Sequence, residues 1–334
     1  MAYYLRTEGE REIPVTVCVA AMAELGGVVG ASDRMITAGD VQFEPDQGKI
    51  WEFTTSIAVM TAGDSSLQTE ILLDVYSDVR KRIEAEPTNW WLLKDVAELY
   101  SYYYGVAKRK RSERAVLAPL GLTHDSFVSR QSEMIDSFVR MVSTELINFS
   151  MPPVATIITG SDPTGTHIYV VTDGDIECVD KVGFAAIGIG RWHANSQFMF
   201  AQHDGSKPFP ETLLLTFAAK KRAEVSPGVG EGTDMFSIGQ ALGSYVRIRP
   251  DIIGSLEKMY KRTKAANQKA IEKSNEEVRQ YVQNLVGTTS PQEVKPEDGG
   301  GGATPANPKE LRDGAKESEQ KGHTTGGKAT ETGS

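Results

Sequence analysis

The run Val15-Thr16-Val17-Cys18-Val19-Ala20-Ala21-Met22, its turn Ala23-Glu24-Leu25-Gly26-Gly27 and the return run Val28-Val29-Gly30-Ala31-Ser32-Asp33 decide the fold. In an extended chain, side chains alternate between faces. Val17, Val19 and Ala21 therefore share one face, and Cys18, Ala20 and Met22 share the other. Both faces are apolar. A strand with one wet face alternates apolar with polar residues, so this pair must be covered on both sides.

Working outward, 50–53 and 56–60 form a second expected strand pair, turning near Thr54-Thr55. A helix follows from about residue 65, with Leu67, Ile71, Val75 and Val79 on one stripe and Asp64 or Ser65 as its cap. A second helix runs from near Trp91 through Val96, Tyr100 and Tyr103. After the break at Pro119 and Gly121, an amphipathic pattern at 127–149 predicts a third. Strands are expected at 154–159, 167–172, 176–179 and 184–189, helices at 192–203 and 210–222, and a strand at 235–238 after the glycine-rich segment 227–232. A long helix with a sparse apolar stripe is expected over 255–286, stopped by Gly287. Two strand clusters, each followed by helices, predict an α+β fold: a four-layer αββα sandwich of two mostly antiparallel sheets covered by helices.

The 334 residues carry 40% hydrophobic residues, enough for a sizeable core, and a net charge of -9, which argues against general nucleic-acid binding. The one dense basic cluster, Lys108-Arg109-Lys110-Arg111 with Arg114, reads as a solvated helix end. The two cysteines, Cys18 and Cys178, lie in strand-like runs and read as small buried hydrophobes in a reducing compartment. The five scattered histidines make no metal-like cluster, so no metal and no cofactor is expected. With neither a signal-like apolar core nor a membrane-length run, a cytoplasmic location is expected. Residues 288–334 hold only Val294 and Leu311 as large aliphatics and are expected to be disordered.

Three short segments carry the chemistry. Thr16 lies on the first strand, Asp33 ends the second, and Lys49 opens another. Charged groups at the ends of buried strands are costly unless paired. A lysine beside a threonine hydroxyl favours the alkoxide, and an aspartate holds the lysine charged and oriented. Gly63, in Thr61-Ala62-Gly63-Asp64, lies where a strand passes into a helix, which suits a backbone N–H aimed at an oxyanion. If Thr16 were the first residue, its own α-amine, with a pKa near 7.7–8.0, would be the base for its hydroxyl. Taken singly, each residue also fits a structural role: a β-branched strand residue, an ion pair, a turn glycine.

Taken together, the order of Thr16, Asp33, Lys49 and Gly63 resembles the proteasome β-subunit family of N-terminal-nucleophile hydrolases, and is most similar to its bacterial ancestral-beta-subunit (Anbu) group. The intervals of 16 residues from Asp33 to Lys49 and 14 from Lys49 to Gly63 match the family pattern, and the 17 from Thr16 to Asp33 is one longer. Thr16-Val17-Cys18-Val19-Ala20, Ala31-Ser32-Asp33, Ile158-Thr159-Gly160-Ser161-Asp162 and Ile187-Gly188-Ile189-Gly190 carry the likeness over roughly 15–240. Ser226 fits a supporting serine of the family. Ile189 stands where a serine is usual, Ala223 where an aspartate is, Met35 where an arginine is, and Val15 where leaders commonly end in glycine.

The resemblance implies an Ntn hydrolase fold acting as a threonine-type peptidase or amidase on a peptide or small amide. It further implies a homo-oligomeric ring or spiral, with room for an unfoldase partner; from charge and hydropathy, neither nucleic acid nor membrane is expected as a partner. Two alternatives stay open: an inactive scaffold subunit that keeps residues 1–15, and a non-peptidase amidase. The expected organisation is a leader or propeptide at 1–15 and a hydrolase domain at 16–250 with a helical insertion at about 105–150. A C-terminal helix at 251–287 and the tail at 288–334 follow.

Overall fold

The structure is a computed structural model and describes residues 16–38, 41–45 and 48–287. The expected leader 1–15 and tail 288–334 lie outside the described residues. Two five-stranded antiparallel sheets dominate. In the first, β1 (Cys18–Ala23) pairs with β10 (Phe184–Ile187) on one side and β2 (Gly27–Asp33) on the other, and β11 (Thr233–Ile238) and β12 (Val246–Arg247) extend it. The second has the order β5 (Ile50–Thr54), β6 (Ile57–Gly63), β7 (Val154–Asp162), β8 (Gly165–Thr172), β9 (Asp175–Cys178). A small hairpin of β3 (Ile36–Ala38) and β4 (Val41–Phe43) leaves the first sheet after Asp33.

The doubly apolar reading of the opening strand holds. Val17, Val19 and Ala21 pack under α5 (Arg191–Phe200) and α6 (Phe209–Ala223), in a cluster with Phe198, Phe217 and Met235. Cys18 and Ala20 face the other way and meet Ala58, Met60, Ile157 and Ile168 of the second sheet. The outer face of that second sheet, with Phe53, Val59, Ile158 and Val171, is covered by α1 (Ser65–Ala85) and α2 (Leu93–Ser112). The two sheets thus face each other and carry helices on their outer sides, an α+β sandwich.

Several expectations need correction. The single helix expected over 127–149 is two, α3 (His124–Ser129) and α4 (Asp136–Asn148). Thr123 starts α3 early through a reciprocal capping box with Ser126. The polar stretch after Ser129 then offers no apolar face to bury, and Ile135 is extended before α4 begins. α7 (Pro250–Gly287) begins five residues earlier than expected, with proline at its start, where a missing N–H costs nothing. Cys178 is exposed rather than buried, because β9 is the edge strand of its sheet. By contacts the chain divides after Ile271 into two units. In the first, Leu256 and Tyr260 of α7 pack into the core. In the second, Val278, Val282 and Leu285 are exposed.

Candidate active site

Antiparallel pairing of β1 with β2 sets Cys18 against Ser32, so the start of the first strand and the end of the second lie together. Thr16 and Asp33 meet there, 2% and 0% exposed. The Thr16 hydroxyl donates to Asp33 Oδ1. Lys49 enters from the other sheet, just ahead of β5. Its Nζ donates to Thr16 Oγ1 and to Asp33 Oδ1, the latter at 2.8 Å. The Lys49 side chain is 14% exposed, so the residue keeps a narrow contact with solvent. Three segments far apart in sequence thus bring a hydroxyl, a carboxylate and an ammonium to one point.

Asp33 is held from all sides. Val17 N donates to Oδ1 at 3.0 Å, while Met35 N and Gly230 N donate to Oδ2, each at 3.1 Å. A buried carboxylate is stable only with such a set of donors. The neighbouring Cys18 thiol does not compete as a nucleophile: burial pushes its pKa up to about 12, against the pull of Lys49.

Gly63 ends β6 at the Lys49 side. Thr61 N donates to Lys49 O at 3.4 Å. Backbone N–H directions repeat every second residue along a strand, so the Gly63 N–H faces the same side. The buried Gln68 reinforces this, because its Nε2 donates to Ala62 O at 3.2 Å. Across a trans peptide the C=O and the following N–H point in opposite directions, so turning the Ala62 carbonyl toward Gln68 turns the Gly63 N–H away from it. Gly63 has φ of 122°, and a Cβ there would lie 2.4 Å from Pro153 O, so no other residue fits.

The glycine-rich turn wraps the Thr16 main chain. Gly190 N donates to Thr16 O at 3.3 Å. Gly188, with φ of 86°, passes so close that a Cβ would sit 2.3 Å from Thr16 O. Ile189 between them packs into the core cluster under α5 and α6. Ser226 is buried in the turn after α6, where its N–H donates to Ala223 O at 3.0 Å. Among the described residues no hydrogen bond joins Ser226 to the Thr16–Asp33–Lys49 cluster.

Two participants escaped the sequence reading. Gly230 supplies a donor to Asp33 from the loop before β11. Lys220 is 0% exposed, on the face of α6 that also buries Thr216, Phe217 and Ala223. The available signal was a lysine on a helical stripe with no other charged residue, shared with Thr212, Thr216, Phe217 and Ala223.

Among the described residues no group of three or more His, Cys, Asp or Glu is arranged for a metal, and no helix is long and apolar enough to cross a membrane. The arrangement can activate a hydroxyl for attack on a carbonyl and offer an N–H to the resulting oxyanion. No protein-family model matches the chain, and no curated protein matches it in sequence.

Proposed function

We propose that this chain is an N-terminal-nucleophile hydrolase of proteasome β-like type, a threonine peptidase or amidase with the Ntn fold. The observation that carries the reading is the convergence of Thr16 Oγ1, Asp33 Oδ1 and Lys49 Nζ from three separate segments. Removal of residues 1–15 frees the Thr16 amine. That amine takes the hydroxyl proton as Oγ1 attacks the substrate carbonyl. Lys49 lowers the energy of the developing alkoxide, and Asp33 keeps Lys49 aimed at it. The Gly63 N–H stabilises the tetrahedral oxyanion. Collapse breaks the amide C–N bond, the Thr16 ammonium protonates the leaving amine, and water hydrolyses the acyl ester to return Oγ1–H. The companion expectations are a homo-oligomer in the cytoplasm acting on peptides or small amides.

The test is kinetic. Thr16→Ala should abolish hydrolysis of fluorogenic peptides and covalent capture by an epoxyketone while the fold stays intact. Lys49→Ala should lower kcat by about 10²- to 10⁴-fold. Full activity in either variant sinks the mechanism. Ile189, packed against the core where the family usually carries a serine, favours a second reading, an inactive scaffold of the same fold that retains its leader. In that case the wild-type chain is inert to every such probe.

A further inference from the structure

The loop that delivers Gly230 to Asp33 is tied down by an ammonium group buried in the protein. Lys220 Nζ donates to Glu224 Oε1 at 2.6 Å, to Gly230 O at 2.9 Å and to Glu231 O at 3.0 Å. A lysine ammonium has three protons, and here each has an acceptor, so its position is fixed from three directions. Gly230 is gripped at both ends of one residue. Its carbonyl accepts from Lys220, and its N–H donates to Asp33 Oδ2. The same loop is pinned once more where Gly232 N donates to Glu44 at 3.1 Å.

A fully buried lysine is costly and is seldom kept where an apolar residue would pack. Here the residue shares the buried face of α6 with Phe217 and Ala223, while its head group meets one carboxylate and two main-chain carbonyls. Burial lowers the Lys220 pKa from its usual value, and the Glu224 carboxylate opposes that effect. Glu224 is itself shared with Lys221, at 2.7 Å, and Lys221 also reaches Glu257 at 3.5 Å.

We propose that Lys220 is a positioning residue for the hydrolytic site, holding the Gly230 loop so that its N–H orients Asp33 and, through Asp33, the Thr16 hydroxyl and Lys49. This rests on the hydrolase reading above. The relay runs through hydrogen bonds alone: Lys220 to Gly230, Gly230 to Asp33 Oδ2, and Asp33 Oδ1 to both Thr16 and Lys49. Lys220 touches no reacting atom. Its effect is on where the carboxylate points.

The experiment compares Lys220→Met, which keeps length and loses the charge, with Lys220→Gln, which keeps two N–H donors. Two readouts are taken on the full chain. Amide hydrogen exchange at Gly230 should accelerate in Lys220→Met by about tenfold or more, with no change across α1 and β6, since only a local tie is lost. With fluorogenic peptides, kcat should fall about ten- to a hundredfold with KM little changed, because misplacing a catalytic group weakens the transition state and not ground-state binding. Lys220→Gln should lie between Lys220→Met and wild type in both readouts.

A purely structural lysine would instead speed exchange everywhere or leave kcat untouched, and either result overturns the proposal. If Lys220→Met does not fold, Lys220→Gln decides alone: wild-type exchange at Gly230 and wild-type kcat overturn it. If the wild-type chain neither hydrolyses peptides nor is captured by an epoxyketone, the hydrolase reading falls. Exchange at Gly230 then still decides whether Lys220 holds this loop on Asp33.

Discussion

The Asp33–Lys49 pair should be asymmetric, with Asp33 the more costly to lose. Asp33→Ala removes an acceptor that serves Lys49 Nζ, the Thr16 hydroxyl and the three main-chain N–H groups of Val17, Met35 and Gly230. Breaking a buried pair and stranding its partner costs about 3–5 kcal/mol. The lower end applies, because Lys49 is 14% exposed and reaches some water. Each orphaned N–H adds about 1 kcal/mol or more. The sum is about 6 kcal/mol, a large share of the roughly 5–15 kcal/mol that holds a domain together. At about 2–4 °C per kcal/mol for a domain of this size, the Tm should fall by roughly 12–24 °C.

Lys49→Met is different. The carboxylate keeps all three N–H donors and the Thr16 hydroxyl, while the two Nζ bonds, to Asp33 and to Thr16, are lost, about 4 kcal/mol or roughly 8–16 °C. Thermal and urea unfolding of the two variants at neutral pH supply the comparison. A Lys49→Met variant as destabilised as Asp33→Ala, or more so, refutes the account of how Asp33 is held.

Other consequences follow from the same contacts. Gly188→Ala puts a Cβ 2.3 Å from Thr16 O at a φ of 86°, so it should cost about 1–3 kcal/mol and displace the nucleophile, lowering the rate of epoxyketone capture. Native protein at about pH 8 should take up one thiol label per chain, at the exposed Cys178. Cys18 is buried with a pKa of about 12, and it should react only in denaturant, as a thiol titration will report. His203 is held below its usual pKa, chiefly by burial, and hydrogen-bonds Met22 O at 2.9 Å. Its neutral form is favoured in the fold, so its contribution to stability is full above about pH 6.5 and is lost as pH falls below that. Urea midpoints at about pH 7.5 and 5.5 should therefore converge in His203→Gln relative to wild type.

Much of this architecture was legible in the chain because its signals were long and doubly constrained. The two-faced apolar strands at 17–22 and 28–32 could only lie between two layers, and they do. Asp33 and Lys49 stood out because charges at the mouths of apolar runs demand partners, and they found each other and Thr16. The β3–β4 hairpin and β12 were not legible, since strands of two or three residues have no periodicity to read. The helix expected over 127–149 failed because an amphipathic stripe can continue across a break that caps decide locally. Gly230 left no trace and Lys220 only one, a lysine on a buried helical stripe, because their roles depend on a contact between α6, a loop and β2 that no local pattern encodes. Ser226, placed by analogy with the family alone, sits in its turn, and among the described residues no hydrogen bond joins it to the cluster.

The central claim is that Thr16 is an N-terminal nucleophile. Intact mass of the purified chain, before and after incubation with a peptide epoxyketone, addresses it directly, with peptide mapping of any adduct. The account predicts a chain that begins at Thr16, having lost residues 1–15, and that gains one inhibitor mass localised to Thr16. A chain that retains Val15 ahead of Thr16 in a preparation that still hydrolyses peptides, or an adduct on any other residue, contradicts it.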